Sequence, residues 1–474
     1  MDLEAVIGLE IHVEMKTQSK MFSSSPVTFG EDPNTQTTYL DFGFPGTMPV
    51  VNKQAVINAI RVSHALHMEI DHELWFDRKN YFYSDLPKGY QITQQDRPIG
   101  KNGYLEIDTK DGHRKIEIER LHMEEDTCKQ LHSWDCSLLD YNRAGIPLIE
   151  IVSRPDMRNG EEAAKYVEKI RSIVSFLEVS DGKMEEGSLR CDVNISLKDK
   201  NSEVLGTKVE IKNLNSLMNI EKAIEFEIAR QSVILMTGGS VRQETRRFDE
   251  ASKETVLMRV KTDAVDYKYF TEPNIVPIKL SADFINEAIN SSPELAESKL
   301  KRYQEAGLSE YDCSLLIANK DNSDYYDAVV KTGANPKLAA NWVIGDIQAI
   351  LNKEAIDIKH FKVSATEIGE LIKYIEAGKV SNKQAREIFA RMIKEDKTCK
   401  EIIETSGASL ISDEEELKKI VLAVLDDNEQ SIIDFKAGKD RALGYIVGQV
   451  MKRTQGKANP GLASKLVREE IIRR

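Results

Sequence analysis

Between Val6 and Glu14 the chain reads Val-Ile-Gly-Leu-Glu-Ile-His-Val-Glu, a strict alternation that commits the segment to a β-strand with two chemically opposite faces. Ile7, Leu9, Ile11 and Val13 fall on the face that must pack, and Glu10, His12 and Glu14 on the other. A carboxylate and an imidazole two residues apart project side by side, so they can grip one cation if further oxygen ligands arrive from elsewhere. Glu125, in Leu121-His122-Met123-Glu124-Glu125-Asp126, and Glu150, in Pro147-Leu148-Ile149-Glu150-Ile151-Val152, are the candidates. The alternative is that the polar row is the wet face of a half-exposed strand.

A chain of 474 residues has room for about three domains. Up to about Lys279, strand-like alternation mixes with turns such as Lys101-Asn102-Gly103, and amphipathic helices are expected at 52–66, 160–177 and 218–235. This predicts an α+β first domain over 1–292. After Ser292-Pro293 the pattern turns helical, with helices expected at 294–306, 309–316, 325–331, 336–351 and 366–377, which predicts an all-α domain over 293–405. A break at Thr405-Ser406-Gly407 opens a small helical tail over 406–474, where the charge reverses: Lys452, Arg453, Lys457 and Lys465 belong to a basic set opposed by few acids. In a chain of net charge −13 such an end points to a polyanion partner, or is only a solvated helical surface. The first residues lack the basic flank and apolar stretch of a signal peptide, and no apolar run approaches the ~20 residues of a membrane span, so the expected compartment is the cytoplasm with no membrane partner. Five cysteines without Cys-x-x-Cys spacing argue against a disulfide framework and a structural zinc.

Further segments carry polar rows. Arg190, Asp192 and Asn194 share one face of Ser188–Ser196, and Lys208, Glu210 and Lys212 one face of the next strand; lining a common cleft, Asp and Asn support a cation while Arg and Lys hold phosphate oxygens. Asp77–Gln91 is too polar for a core strand and reads as a loop over a site, with aromatics able to stack on a base and Lys79 or Lys88 able to meet a phosphate. Gln243–Asp249 is less regular. No phosphate-cradling glycine loop is present, and neither Ser23-Ser24-Ser25 nor any cysteine offers the context of a glutaminase nucleophile.

Taken together, Val6–Glu14, Phe44-Pro45-Gly46-Thr47-Met48-Pro49-Val50-Val51-Asn52, Asp140–Gly145, Met184–Asp192, Glu210–Ser216 and Gly456–Pro460 resemble, end to end, the family of B subunits of the glutamyl-tRNA(Gln)/aspartyl-tRNA(Asn) amidotransferases. The resemblance implies a mixed or antiparallel-sheet, cradle-shaped catalytic domain, a helical domain and a YqeY-like, tRNA-binding tail. It implies a carbon–nitrogen ligase with glutamine as amide donor: ATP phosphorylates the side-chain carboxylate of a misacylated Glu-tRNA(Gln) or Asp-tRNA(Asn), and ammonia displaces phosphate. Ammonia would come from the family's glutaminase, its A subunit, with the small C subunit completing a heterotrimer. Carried onto this chain, the resemblance assigns catalysis and Mg²⁺ to Glu10, His12, Glu125 and Glu150. It assigns ATP or substrate to Lys79, Lys88, Arg190, Asp192, Asn194, Lys208, Glu210 and Lys212, and tRNA to Lys452, Arg453, Lys457 and Lys465. Many members hold zinc on four cysteines before Phe44; this chain has Ser23, Ser24, Ser25, Thr37 and Thr38 there, so no zinc is expected. Arg154 and the stretch Asp266–Asn274, including Glu272, also depart from the usual family pattern. The rival readings are a non-catalytic, RNA-binding component of an assembly and a free-standing ligase using dissolved ammonia.

Overall fold

The computed structural model describes residues 2–260, 266–406, 414–436, 441–454, 458 and 460–474. Their contacts divide into two compact units, Met1–Ala296 and Glu297–Arg474.

The first unit is built on a nine-stranded sheet with the alternating N-terminal strand, Leu3–Glu14, at its centre. On one side of it lie Leu189–Asp199, Val209–Leu214, Glu244–Asp249 and the edge strand Glu254–Val260; on the other lie Pro147–Ser153, Gly112–Glu125, Gly100–Thr109 and Glu69–Ile70. All pairings are antiparallel except Val209–Leu214 with Glu244–Asp249, so the sheet is mixed. The helices Gly160–Phe176 and Leu217–Met236 lie on one face and pack on each other. Asn159 and Ser216 cap them by accepting from the amides of Glu162 and Asn219. At Gly160 the approach to the second helix is so close that a Cβ would lie 2.7 Å from the Glu221 carbonyl oxygen. Ile7, Leu9, Ile11 and Val13 are buried beneath this layer, each contributing on the order of 1.5–3 kcal/mol. The opposite face keeps the polar rows. The α+β expectation for this region holds.

Two segments differ from expectation. Asp77–Gln91 is a loop only in its middle: Asp77–Asn80 and Tyr90–Thr93 pair with each other, and Phe270–Thr271 completes a three-stranded sheet. Its polar side chains mislead because, of the two paired strands, only Ile92 joins the main apolar cluster, with Tyr90 packed against it. Gln243–Asp249, less regular by sequence, contains the strand Glu244–Asp249, whose charges are neutralised in place: Arg246 pairs with Glu244 at 3.0 Å and lies 3.7 Å from the fully buried Glu227.

The second unit is helical and holds two separate apolar clusters, one from Tyr303 to Ile402 and one from Leu417 to Ile471. The expected helix 325–331 begins earlier, at Lys320, capped by Asn319. The expected helix 336–351 is realised as Pro336–Asn341, a wide π turn over Trp342–Ile347 and Gln348–Glu354. Two further helices, Asn382–Glu395 and Cys399–Ser406, lie outside the expected set. Among the described residues no helix is long and apolar enough to cross a membrane.

Candidate active site and metal centre

Antiparallel register turns single polar residues into rows across the sheet. His12 lies opposite Glu150 on one neighbouring strand and opposite Arg190 on the other, and Glu150 lies opposite His122, so His122, Glu150, His12 and Arg190 form one crosswise line. The next line pairs Glu10 with Asp192, and beyond it Asn194 faces Glu210, which faces Thr245. A bulge between Cys191 and Val193 shifts the register against Val209–Leu214, whose Asn213 adopts a positive φ of 62°.

Two groups of ligating atoms emerge from these rows, each with its members within 4.8 Å of one another: His12 with Glu124 and Glu150, and Glu10 with Asp192 and Glu210. In the first, His12 Nε2 is 3.6 Å from Glu150 and 3.8 Å from Glu124, and His122 Nε2 is 3.0 Å from Glu150 and 3.7 Å from Glu124. In the second, Asn194 Nδ2 donates to Glu10 at 2.9 Å, Lys212 pairs with Asp192 and, at 3.1 Å, with Glu210, and Thr245 donates to Glu210 at 2.9 Å. The donor set is rich in hard carboxylate oxygens with one imidazole, which fits Mg²⁺ or Mn²⁺ and not a thiolate-bound metal.

The electrostatics agree with a site built for cationic charge. Burial pushes the Glu10 carboxyl above its ordinary value, and the nearby Glu150 pushes it further. Glu150 itself is held well below the carboxylate range: burial opposes its charge, but His122 and His12 outweigh that cost. Burial would lower both imidazoles, yet Glu150 raises His12 and lifts His122 to about 9. Lys79 is likewise kept charged against burial by Glu124, Tyr269 and Glu150, with its ammonium 4.9 Å from the Tyr267 ring centre. At the end of the central strand Asp126 accepts from Arg190 at 2.7 Å and from Arg143, and burial together with Asp126 raises Glu14 to about 7.

The structure thus brings together Glu10, His12, Glu150, Asp192, Asn194, Glu210 and Lys212, with Lys79 facing the first group and Arg190 at its border. Glu125 does not join them. Along a strand alternate side chains share a face, so Glu124 sits with His122 beside Glu150, while Glu125 turns with the fully buried Met123 to the other side. There it pairs with Lys88 and accepts from the Ile92 amide at 3.0 Å. Lys88 is therefore bound to Glu125 and not to either ligand group. Lys208 is exposed and precedes its strand, which begins at Val209, so it does not share the face of Glu210 and Lys212. Glu124 and His122 escape the sequence reading; the alternation His122-Met123-Glu124, read with the same period as the first strand, carries the signal. Glu272 is buried against Arg78, accepting from its guanidinium at 2.6 and 3.1 Å, and serves the small sheet. Arg154 lies 3.4 Å from Glu117. Lys452, Arg453 and Lys465 are exposed on the helices Arg441–Arg453 and Pro460–Arg473, Arg453 being paired with Asp427 at 2.7 Å, and Lys457 lies outside the described residues.

Two family profiles match the chain: "GatB/GatE catalytic domain" over residues 5–286, which contain the sheet and its carboxylate–imidazole cluster, and "GatB domain" over residues 324–471 in the helical unit. The chain belongs to the GatB family, enzyme subunits of the glutamine-dependent amidotransferase ligases. Among its relatives are the proteins named as the B subunit of aspartyl/glutamyl-tRNA(Asn/Gln) amidotransferase in Bacillus cereus strain AH187 and in Bacillus mycoides strain KBAB4; each is 50% identical, with 100% of both chains covered.

Proposed function

We propose that this chain carries the ATP-dependent half of tRNA-dependent amidation, activating the side-chain carboxylate of Glu-tRNA(Gln), Asp-tRNA(Asn) or both. The observation that supports this most is the crosswise cluster of Glu10, His12, Glu124, Glu150, Asp192 and Glu210 on the open face of the sheet, with Lys79 and Lys212 beside it. In the reaction a carboxylate oxygen of the aminoacyl group attacks the γ-phosphorus and ADP leaves. Ammonia then attacks the acyl carbon, phosphate departs, and one proton is lost from nitrogen. Carboxylate and triphosphate repel each other, so positive charge has to be concentrated where they meet. His12, Glu124 and Glu150, with Glu10, Asp192 and Glu210 adjoining, would hold Mg²⁺, which when bound neutralises the transferring phosphoryl group. Lys79, kept charged beside Glu124 and Glu150, would meet phosphate oxygens, Lys212 keeps Asp192 and Glu210 oriented, and Asn194 orients Glu10.

Nothing in the chain supplies a glutaminase nucleophile, and the relatives' names designate one lettered component among several, which fits an assembly. The reading therefore includes a glutaminase partner, the A subunit, and the small C subunit. It takes the domain limits as 1–292, 293–405 and 406–474, with the tail's Lys452, Arg453, Lys457 and Lys465 contacting tRNA, and it locates the reaction in the cytoplasm, where tRNA is charged. It expects no zinc: the segment before Phe44 is held instead by the buried Lys20, which pairs with Asp41 at 3.4 Å, while Ser23 and Ser25 donate to the same carboxylate. The test is coexpression with a candidate glutaminase and a candidate small third chain, followed by amidation assays on both charged tRNAs with glutamine or ammonia. ATP turnover that never responds to misacylated tRNA would favour an assembly role. Product from ammonia without any partner chain would favour a free-standing ligase.

A further inference from the structure

Two histidines flank Glu150, one on each neighbouring strand, and their surroundings differ. The His12 side chain keeps 21% of its surface exposed on the open face, whereas His122 keeps 6%, and Glu150 lies between them at 13%. The closer contact is made by the closed-off ring: His122 Nε2 is 3.0 Å from Glu150 Oε2, against 3.6 Å for His12. Because an ionised carboxylate only accepts, the ring nitrogen facing it carries the hydrogen and donates. On the far side of the ring, Nδ1 is buried and meets no hydrogen-bonding partner. A buried imidazole kept with one nitrogen unsatisfied costs stability, so its position calls for a role.

We propose that His122 is a positioning residue that acts through Glu150: its Nε2–H holds Oε2, the oxygen that also faces His12, and so sets the carboxylate beside His12 and Glu124 in the arrangement a divalent cation requires. The inference rests on the reading of His12, Glu124 and Glu150 as the cation site, and adds the residue that orients it. An outer partner of this type commonly changes metal affinity 10–100-fold when removed. His122 differs from His12 in exposure, its ring being the more closed off of the two.

The test uses the full chain in its assembly with the glutaminase and the small third chain, and reads direct binding of Mn²⁺, followed by its spin-resonance signal. Four variants are compared: His122→Leu, His122→Asn, His122→Gln and Glu150→Gln. His122→Leu should weaken Mn²⁺ binding about tenfold or more. His122→Gln, whose amide reaches the place of Nε2, should return it to within a few-fold of the parent, while His122→Asn, one methylene shorter, should not. The Asn and Gln variants carry the same chemistry, so their contrast stands even where the Leu variant fails to fold. A merely structural histidine would lower thermal stability in both amide variants and leave their Mn²⁺ affinities equal, which overturns the proposal. If Glu150→Gln abolishes binding while every His122 variant binds as the parent, the positioning role falls and the cation site stands. If Glu150→Gln also binds normally, both fall.

Discussion

At the scale of single residues, the face a side chain takes decides its role. Glu124 and Glu125 are neighbours with the same chemistry, yet one faces His12 and Glu150 while the other is tied to Lys88 and the Ile92 amide. Glu124→Gln should therefore weaken Mn²⁺ binding and slow tRNA-dependent phosphate release by about 10²-fold, the scale of a principal electrostatic contribution. Glu125→Gln should leave Mn²⁺ affinity unchanged and lower stability by about 1–3 kcal/mol through the unpartnered Lys88, seen by metal titration and denaturant unfolding of the two variants. Equal loss of Mn²⁺ affinity in both would contradict the assignment. Sequence alone locates the segment and names Glu125, whereas the period of two, carried from the first strand into His122-Met123-Glu124, puts Glu124 on the face of His12 and Glu150.

At the scale of elements, strands with one apolar face are legible in the sequence, and polar or locally capped elements are not. Leu3–Glu14 announces itself by alternation, whereas Asp77–Asn80 and Glu244–Asp249 carry charge on residues that pair only after folding. The helix Asn382–Glu395 escapes the periodicity reading although Ser381 and Gln384 form a capping box, a signal present in the sequence. In the helical unit the ammonium of the buried Lys299 binds Ser323, Asp324 and Asp327, joining the helices Ala296–Glu305 and Lys320–Lys331. Burial alone would raise both carboxyls, but their bonds to Lys299, Lys320 and Arg302 hold them below the ordinary value. The native state therefore binds fewer protons than the unfolded one, and the contribution to stability is present above about pH 4 and lost as the pH falls through the folded values. Hydrogen-exchange protection of Lys320–Lys331 should decline on acidification below that point. In Lys299→Met the decline should flatten, with a loss near neutral pH of about 1–3 kcal/mol, below that of a fully buried pair because the aspartates are partly solvated. Protection independent of pH in the parent would contradict this account.

At the scale of the whole molecule, the carboxylate–imidazole cluster belongs to the first unit and the basic helices to the second. The cluster Leu417–Ile471 shares no residues with the cluster Tyr303–Ile402, so removing residues from about 406 onward should spare the remaining cores. Affinity for tRNA should fall, and the slope of log affinity against log salt should shrink by roughly 0.7–0.9 for each phosphate that the tail no longer neutralises. Unchanged affinity and slope would leave the tail a solvated surface. The α+β and helical regions are readable from the change of hydrophobic period near Ser292-Pro293, but the joining of residues 10, 124, 150, 192 and 210 is not, since strand order and register are long-range properties that no local pattern encodes. If this cluster holds the cation that serves phosphoryl transfer, removing one ligand charge has to show in the chemical step itself. That step is read by single-turnover phosphate release from ATP with Glu-tRNA(Gln), comparing Glu150→Gln with the parent assembly across a Mg²⁺ titration. The expected result is a loss of about 10²-fold or more at moderate Mg²⁺ with the glutaminase of the partner retained; parent-like rates at every Mg²⁺ concentration would contradict it and return the row of Glu10 and His12 to the solvated face of a strand.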